Sequence, residues 1–140
     1  MMRVFLDTNV LIDYLARRQQ FYNNAALIIS ECNEKGWKIL VSALSFATAS
    51  YILFSHHKIN ATDIKALFEN FIKICNVTPV DSMIDNDAVA SVFDDLEDAM
   101  KHFSALRGQA DVIITRNKDD FDVAQIPVME PQEFLDLITE

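Results

Sequence analysis

Residues 3–13, RVFLDTNVLID, decide the fold. An apolar run, Val4-Phe5-Leu6, stops at Asp7-Thr8-Asn9 and resumes at once as Val10-Leu11-Ile12. On a structural reading, a buried strand ends here and its last polar residues cap a helix, with the Asp7 side chain accepting a backbone N–H. On a chemical reading, Asp7 is displayed at the end of a strand for use. The residues further along the chain bear on both.

Outward from this stretch, short apolar runs alternate with helical patterns. Residues 37–42 (WKILVS), 75–80 (CNVTPV), 111–115 (DVIIT) and 126–130 (IPVME) read as further strands, with Pro79 marking an edge or a strand end. Val10, Leu11, Tyr14 and Leu15 form one helical face, and Phe21, Ala25, Ile28, Ile29 and Cys32 a longer one that Gly36 is placed to stop. Residues 43–56 and 62–74 read as an antiparallel helix pair, Thr62 capping the second and Asp63 favouring its dipole. A further helix is expected from Asp81 or Ser82 to about Phe93, another over 96–106 ending at Gly108, and a last one opened by Pro131. Strands that are apolar throughout and alternate with helices predict a small, mostly parallel sheet of four or five strands, covered on both faces in a three-layer α/β/α sandwich.

The 140 residues, 51% of them hydrophobic, match one domain with a real core, and no Pro/Gly/Ser linker divides them. No run is long and apolar enough to span a bilayer, and Asp7 and Asn9 fall where a signal peptide would need apolar residues, so we expect a cytoplasmic protein without a membrane partner. Cys32 and Cys75 are then expected as buried free thiols. Twelve Lys and Arg against 21 Asp and Glu give a net charge of −9, which argues against a generic cationic nucleic-acid binder. It leaves room for a nuclease that reaches phosphate through divalent cations held by carboxylates.

Ligands of open parallel sheets bind beyond the carboxyl ends of the strands. Two ends look alike: FLDTN closes the first strand and IITRN the fourth. After the latter, Arg116-Asn117-Lys118-Asp119-Asp120-Phe121 supplies an amide and two carboxylates on a turn, and Asp94-Asp95-Leu96-Glu97-Asp98 puts four acids within five positions before a helix. Taken singly, these are a strand-end cap, an Asx-type turn and a solvated helix start. Taken together, they bring three acidic patches to one rim, where mutual repulsion calls for a cation. His56, His57 and His102 are not spaced with cysteines as zinc ligands would be.

The combination of FLDTNVLIDYL, DLEDAMKHFSAL, GQADVIITRNKDDF and a final apolar strand resembles the PIN domain family over nearly the whole chain. That resemblance implies a ribonuclease that uses Mg²⁺ or Mn²⁺, of a kind that includes the toxins of bacterial toxin–antitoxin pairs. Position by position, the family's acids fall on Asp7, Asp98 and Asn117, with Asp120 following in the Asp-Phe pair, and Thr8 and Thr115 match its small hydroxyl residues. Asp95, one turn before Asp98, is a second-rank ligand, while Thr8 and Asn9 fix the turn and start the helix. Asn117 stands where many members have aspartate, and Thr48 where the helix after the second strand usually carries an acid. With fewer central carboxylates, a one-metal site is expected over a two-metal one.

Arg116 and Lys118 flank the rim as candidates for the RNA backbone, and Tyr14, Phe21, Tyr22 and Trp37 include candidates for base stacking. The helix pair over 43–74 carries enough apolar surface to expect a homodimer face or a seat for an antitoxin segment. Two rival readings remain open: a PIN-like module that has lost its chemistry and binds RNA or protein, and a phosphatase of the Asp-nucleophile kind. The latter typically wants two aspartates flanking one residue, where this chain has Asp7-Thr8-Asn9. Asp7→Asn is expected to lose metal binding while relieving repulsion in the cluster.

Overall fold

A computed structural model describes residues 1–139. Five strands, β1 (Arg3–Leu6), β2 (Lys38–Ser42), β3 (Asn76–Thr78), β4 (Val112–Ile114) and β5 (Val128–Met129), form one sheet in the order β3-β2-β1-β4-β5. Every pairing is parallel, with Val4 opposite both Ile39 and Val112. The apolar run of the opening stretch is therefore the central strand, which explains why Val4, Phe5 and Leu6 are fully buried on both faces. Pro79 follows β3, an edge strand, as its ring requires.

Alternate strand residues feed two cores. Val4, Leu6, Ile39, Val41, Val112 and Ile114 pack on one side with α1 (Thr8–Leu15), α2 (Tyr22–Lys35), α3 (Ala43–Ser55), α4 (Ala61–Phe71) and α7 (Pro131–Ile138). Phe5, Leu40 and Ile113 pack on the other with Ala105 of α6 (Leu96–Arg107) and with Phe121 of a 3₁₀ turn over Lys118–Phe121. Each fully buried Phe in these layers contributes roughly 1.5–3 kcal/mol. The α/β/α sandwich expected from the alternation is thus the one observed, with five strands and all of them parallel.

Two boundaries and one burial differ from expectation. Helix α4 is capped by Asn60, whose side chain accepts the Asp63 N–H at 2.9 Å, because its amide oxygen reaches the third helical N–H and Thr62 already lies inside the helix. Helix α5 (Ser82–Ala90) stops three residues before Phe93, since the Ser91 hydroxyl turns back onto the Ala88 carbonyl at 2.7 Å. Cys75 is half-buried rather than buried, while Cys32 is buried; both are free thiols, pushed up to about 11 mainly by burial. Gly36 ends α2 at φ 71°, a left-handed conformation that glycine adopts without cost. Gly108 serves close approach: a Cβ there would lie 2.5 Å from Thr78 Cγ2 and 3.3 Å from Leu40 Cδ1, where α6 ends against the sheet.

Candidate active site

Asp7 stands at the end of β1 and caps the helix that follows, as the structural reading expects. The Asp7 backbone is extended, its N–H continues the sheet to the Ile114 carbonyl at 2.9 Å, and its Oδ1 accepts the Thr8 N–H at 2.8 Å as the cap of α1. The same carboxylate faces inward over the rim. Oδ2 accepts from the Thr115 hydroxyl at 2.8 Å and, more weakly, from the Asn9 amide at 3.5 Å. Asn9 also reaches Thr115 and accepts the Arg116 N–H, tying the ends of β1 and β4 together. Thr8 shares a 2.7 Å hydrogen bond with Ser45 of α3, so the helix after β2 touches the rim through a hydroxyl.

The cation that the acids call for is part of the chain. Lys101 Nζ lies 2.8 Å from Asp7 Oδ1 and 3.2 Å from Asp98 Oδ1, one turn back on α6. Asp7 is 2% exposed and Lys101 6%, so these charges are largely removed from water. Burial works against the charged form of Lys101, yet Asp7 and Asp98 outweigh it and hold the ammonium above its usual pKa. Asp98 is pushed up to about 6 by burial; Lys101 pulls it down, while Asp95 and Asp120 raise it further. The floor beneath Lys101 is the buried Phe121 ring, whose centroid is 5.9 Å from Nζ.

The remaining candidates sit further out. Asp95 is exposed and caps α6, its Oδ1 accepting the Asp98 N–H at 2.9 Å. Thr48 donates to Glu97 at 3.0 Å, so an acid does meet this part of α3, but it is supplied by α6. Asn117 and Asp120 are exposed on the loop after β4, where Arg116, Asn117, Lys118, Asp119, Asp120 and Glu130 line an open cavity of about 460 Å³. Lys118 pairs with Glu133 at 3.0 Å. Arg116 turns away from the loop: its Nε and Nη2 grip the buried Asp13 carboxylate at 2.7 and 3.1 Å, and its guanidinium lies 3.8 Å over the Phe21 ring. The structure thus brings Asp7, Asp98, Asn9 and Thr115 together and leaves Asn117, Asp120 and Asp95 at the margin.

A PIN domain model matches residues 3–119, most of the chain, including Asp7, Asn9, Asp95, Asp98, Thr115 and Asn117 and ending one residue before Asp120. The chain belongs to the PIN domain family. Solved PIN-fold neighbours include a toxin–antitoxin complex from Klebsiella pneumoniae, 22% identical with a TM-score of 0.66, covering 91% of this chain and 97% of that one. FitAcB from Neisseria gonorrhoeae is 17% identical with a TM-score of 0.63, over 92% and 98%. VapBC2 from Rickettsia felis bound to a promoter DNA fragment is 15% identical with a TM-score of 0.61, over 92% and 98%. At these identities the likeness carries the fold. Among curated proteins no sequence matches this chain.

The divalent cation that the PIN resemblance implies does not fit these side chains as arranged. Among the described residues no three His, Cys, Asp or Glu side chains come together as metal ligands would. Both Asp7 oxygens are engaged, and the space between Asp7 and Asp98 is taken by the Lys101 ammonium. Sequence reading passed over Lys101, Asp13 and Ser45. Lys101 lies three residues after Asp98 on one helix face, and a base next to an acidic helix start is the signal that points to it. Asp13 stands inside the opening stretch itself, and its partner Arg116 is visible only once the fold joins them.

Proposed function

We propose that this PIN domain is an endoribonuclease that hydrolyses RNA phosphodiester bonds at the rim around Asp7 and Asp98, and that it acts as the toxin of a toxin–antitoxin pair. The single observation that carries the reading is the convergence of Asp7, Thr115, Asn9 and Asp98 at the carboxyl ends of β1 and β4, in a chain whose family membership covers those positions. In it Asp7 and Asp98 are the catalytic carboxylates, Asp120 and Asn117 border the RNA path, and Asp95, Thr8, Asn9, Thr48 and Thr115 hold the rim in place. Lys118 meets the RNA backbone, while Arg116, first a candidate for the same role, is held by Asp13 and anchors the loop. Because Lys101 fills the centre, no catalytic step is assigned to Mg²⁺ or Mn²⁺.

A toxin needs a partner, and α3 offers a surface for one. Tyr51 and Phe54 are 68% and 61% exposed, an apolar face that a monomer gains nothing by leaving in water. The Klebsiella pneumoniae neighbour is a toxin–antitoxin complex, which supports an antitoxin as the occupant. A homodimer over the same face is the competing outcome, and sedimentation of the protein alone separates the two.

The test is cleavage of single-stranded RNA by the purified protein with Mg²⁺, with Mn²⁺ and with chelator, beside Asp7→Asn. Cleavage that Asp7→Asn abolishes supports the reading. Cleavage that survives the substitution overturns it. The second reading, a module that binds RNA or protein without cutting, is favoured by Lys101 at the centre of the acids and by Thr48 in place of a carboxylate. It predicts no cleavage by either protein under all three conditions, with RNA or partner binding retained by both.

A further inference from the structure

Two carboxylates, Asp7 and Asp98, touch one ammonium directly, and Asp95 and Asp120 lie close enough to Asp98 to act on its charge. Lys101 is one of the most buried charged side chains of the molecule, and its two carboxylate partners outweigh the burial that opposes its charge. Its Nζ stands 5.9 Å from the centroid of the Phe121 ring and bridges the Asp7 and Asp98 carboxylates, while Asp7 also accepts from the Thr8 N–H, the Thr115 hydroxyl and, weakly, the Asn9 amide. An ammonium held at about 3 Å from two carboxylates in a water-poor site balances their charge in the way a bound cation would.

We propose that Lys101 is a tethered counter-ion that takes the place of a divalent cation between Asp7 and Asp98, so that metal enters this site only in competition with the ammonium. The proposal rests on the reading of Asp7 and Asp98 as the functional carboxylates, and its test reads metal affinity and not RNA cleavage, so the two fail separately. Replacing Lys101 by methionine keeps an unbranched stem over Phe121 and leaves two neighbouring carboxylates without their cation. The vacated position then has the charge and the oxygen donors that a hard divalent ion takes. Lys101→Arg retains the positive charge and serves as the control.

Mn²⁺ is titrated calorimetrically into the metal-stripped wild type, Lys101→Met and Lys101→Arg. Lys101→Met is expected to bind at least about tenfold more tightly than the other two, and its unfolding midpoint to rise on Mn²⁺ addition while that of the wild type stays in place. Equal affinities in wild type and Lys101→Met, including no binding by either, overturn the proposal. If Lys101→Met does not fold, the wild type answers alone through ¹⁵N-lysine NMR. The Lys101 ammonium signal, slowed by burial, is expected to persist at millimolar Mg²⁺, and its loss at micromolar Mg²⁺ overturns the proposal.

Discussion

Two buried ion clusters grow from the same eleven residues, and they are built differently. At Asp13 one carboxylate, 1% exposed, is held by two arginines, with Arg116 gripping it through two nitrogens and Arg18 adding a third contact at 3.2 Å. At Asp7 the proportions are reversed: one lysine is shared between Asp7 and Asp98, and two more acids stand nearby. The first cluster is saturated with cation and faces the Phe21 ring, a geometry suited to holding α1 against the loop after β4. The second is short of positive charge and opens towards the rim.

The contrast predicts its largest effect at Asp13. Asp13→Ala strands two guanidinium groups, one of them partly buried over an aromatic ring, and is expected to cost about 3–5 kcal/mol in urea unfolding. A loss below about 1 kcal/mol would mean that the cluster is a surface feature with no part in holding the rim. Arg18→Ala removes the weaker contact only and is expected to cost a small fraction of that.

Next in size is the response to acid, where two groups on one face of α6 oppose each other. His102 is fully buried; its Nε2 accepts the Gln125 N–H at 3.0 Å, its Nδ1 has no partner, and burial lowers its pKa from 6.5 to about 4. The unfolded chain therefore takes up a proton that the folded one refuses, and stability falls as pH drops from about 6.5 towards 4, by up to about 3 kcal/mol. Asp98 acts in the opposite sense. Its folded pKa of about 6 lies above its ordinary 3.8, so the folded state takes the proton first and stability rises as pH falls through that window. The wild type is expected to show a shallow profile, and Asp98→Asn a steeper loss towards acid, read from urea midpoints between about pH 7 and 4. A profile unchanged by Asp98→Asn would remove Asp98 from the titrating pair.

Asp7→Asn comes third, and here the structure reverses the sign that the sequence suggests. Four acids gathered at one rim predict relief on losing a charge, whereas the Lys101 ammonium makes that charge half of an ion pair. Asp98 remains to balance Lys101, and an amide oxygen can still cap Thr8, so the expected cost is about 1–2 kcal/mol, smaller than at Asp13. Increased stability in the metal-stripped variant would show that the acids repel more than Lys101 attracts.

What the sequence could and could not disclose follows from the range of the interactions. The sheet was legible because Val4-Phe5-Leu6, Ile39-Leu40-Val41 and Val112-Ile113-Ile114 are apolar on consecutive positions, a pattern local to each strand. The position of Asp7 at a strand end was legible for the same reason. The pair of Lys101 with Asp98 is local, three residues apart on one helix, but its pair with Asp7 and that of Arg116 with Asp13 were not legible, because a base carries no sign of a distant partner: Asp7 is 94 residues from Lys101 and Asp13 is 103 from Arg116. Asn60 was displaced by Thr62 as the expected cap because both are capping residues two positions apart, and only the observed bond to the Asp63 N–H distinguishes them.

The smallest effect belongs to Lys118, which belongs to neither cluster. Its contact with Glu133 at 3.0 Å is an exposed pair, so Lys118→Ala should leave the urea midpoint where it is. Its consequence is expected in binding. A lysine that meets one RNA phosphate releases about one counterion, and its loss should weaken RNA binding uniformly across sequences while lowering the salt slope by about 0.7. Glu133→Gln frees the same ammonium and should move affinity the other way. If neither substitution changes RNA binding, the loop after β4 is no part of the path, and the RNA must be met by the groups nearer Asp7 and Asp98.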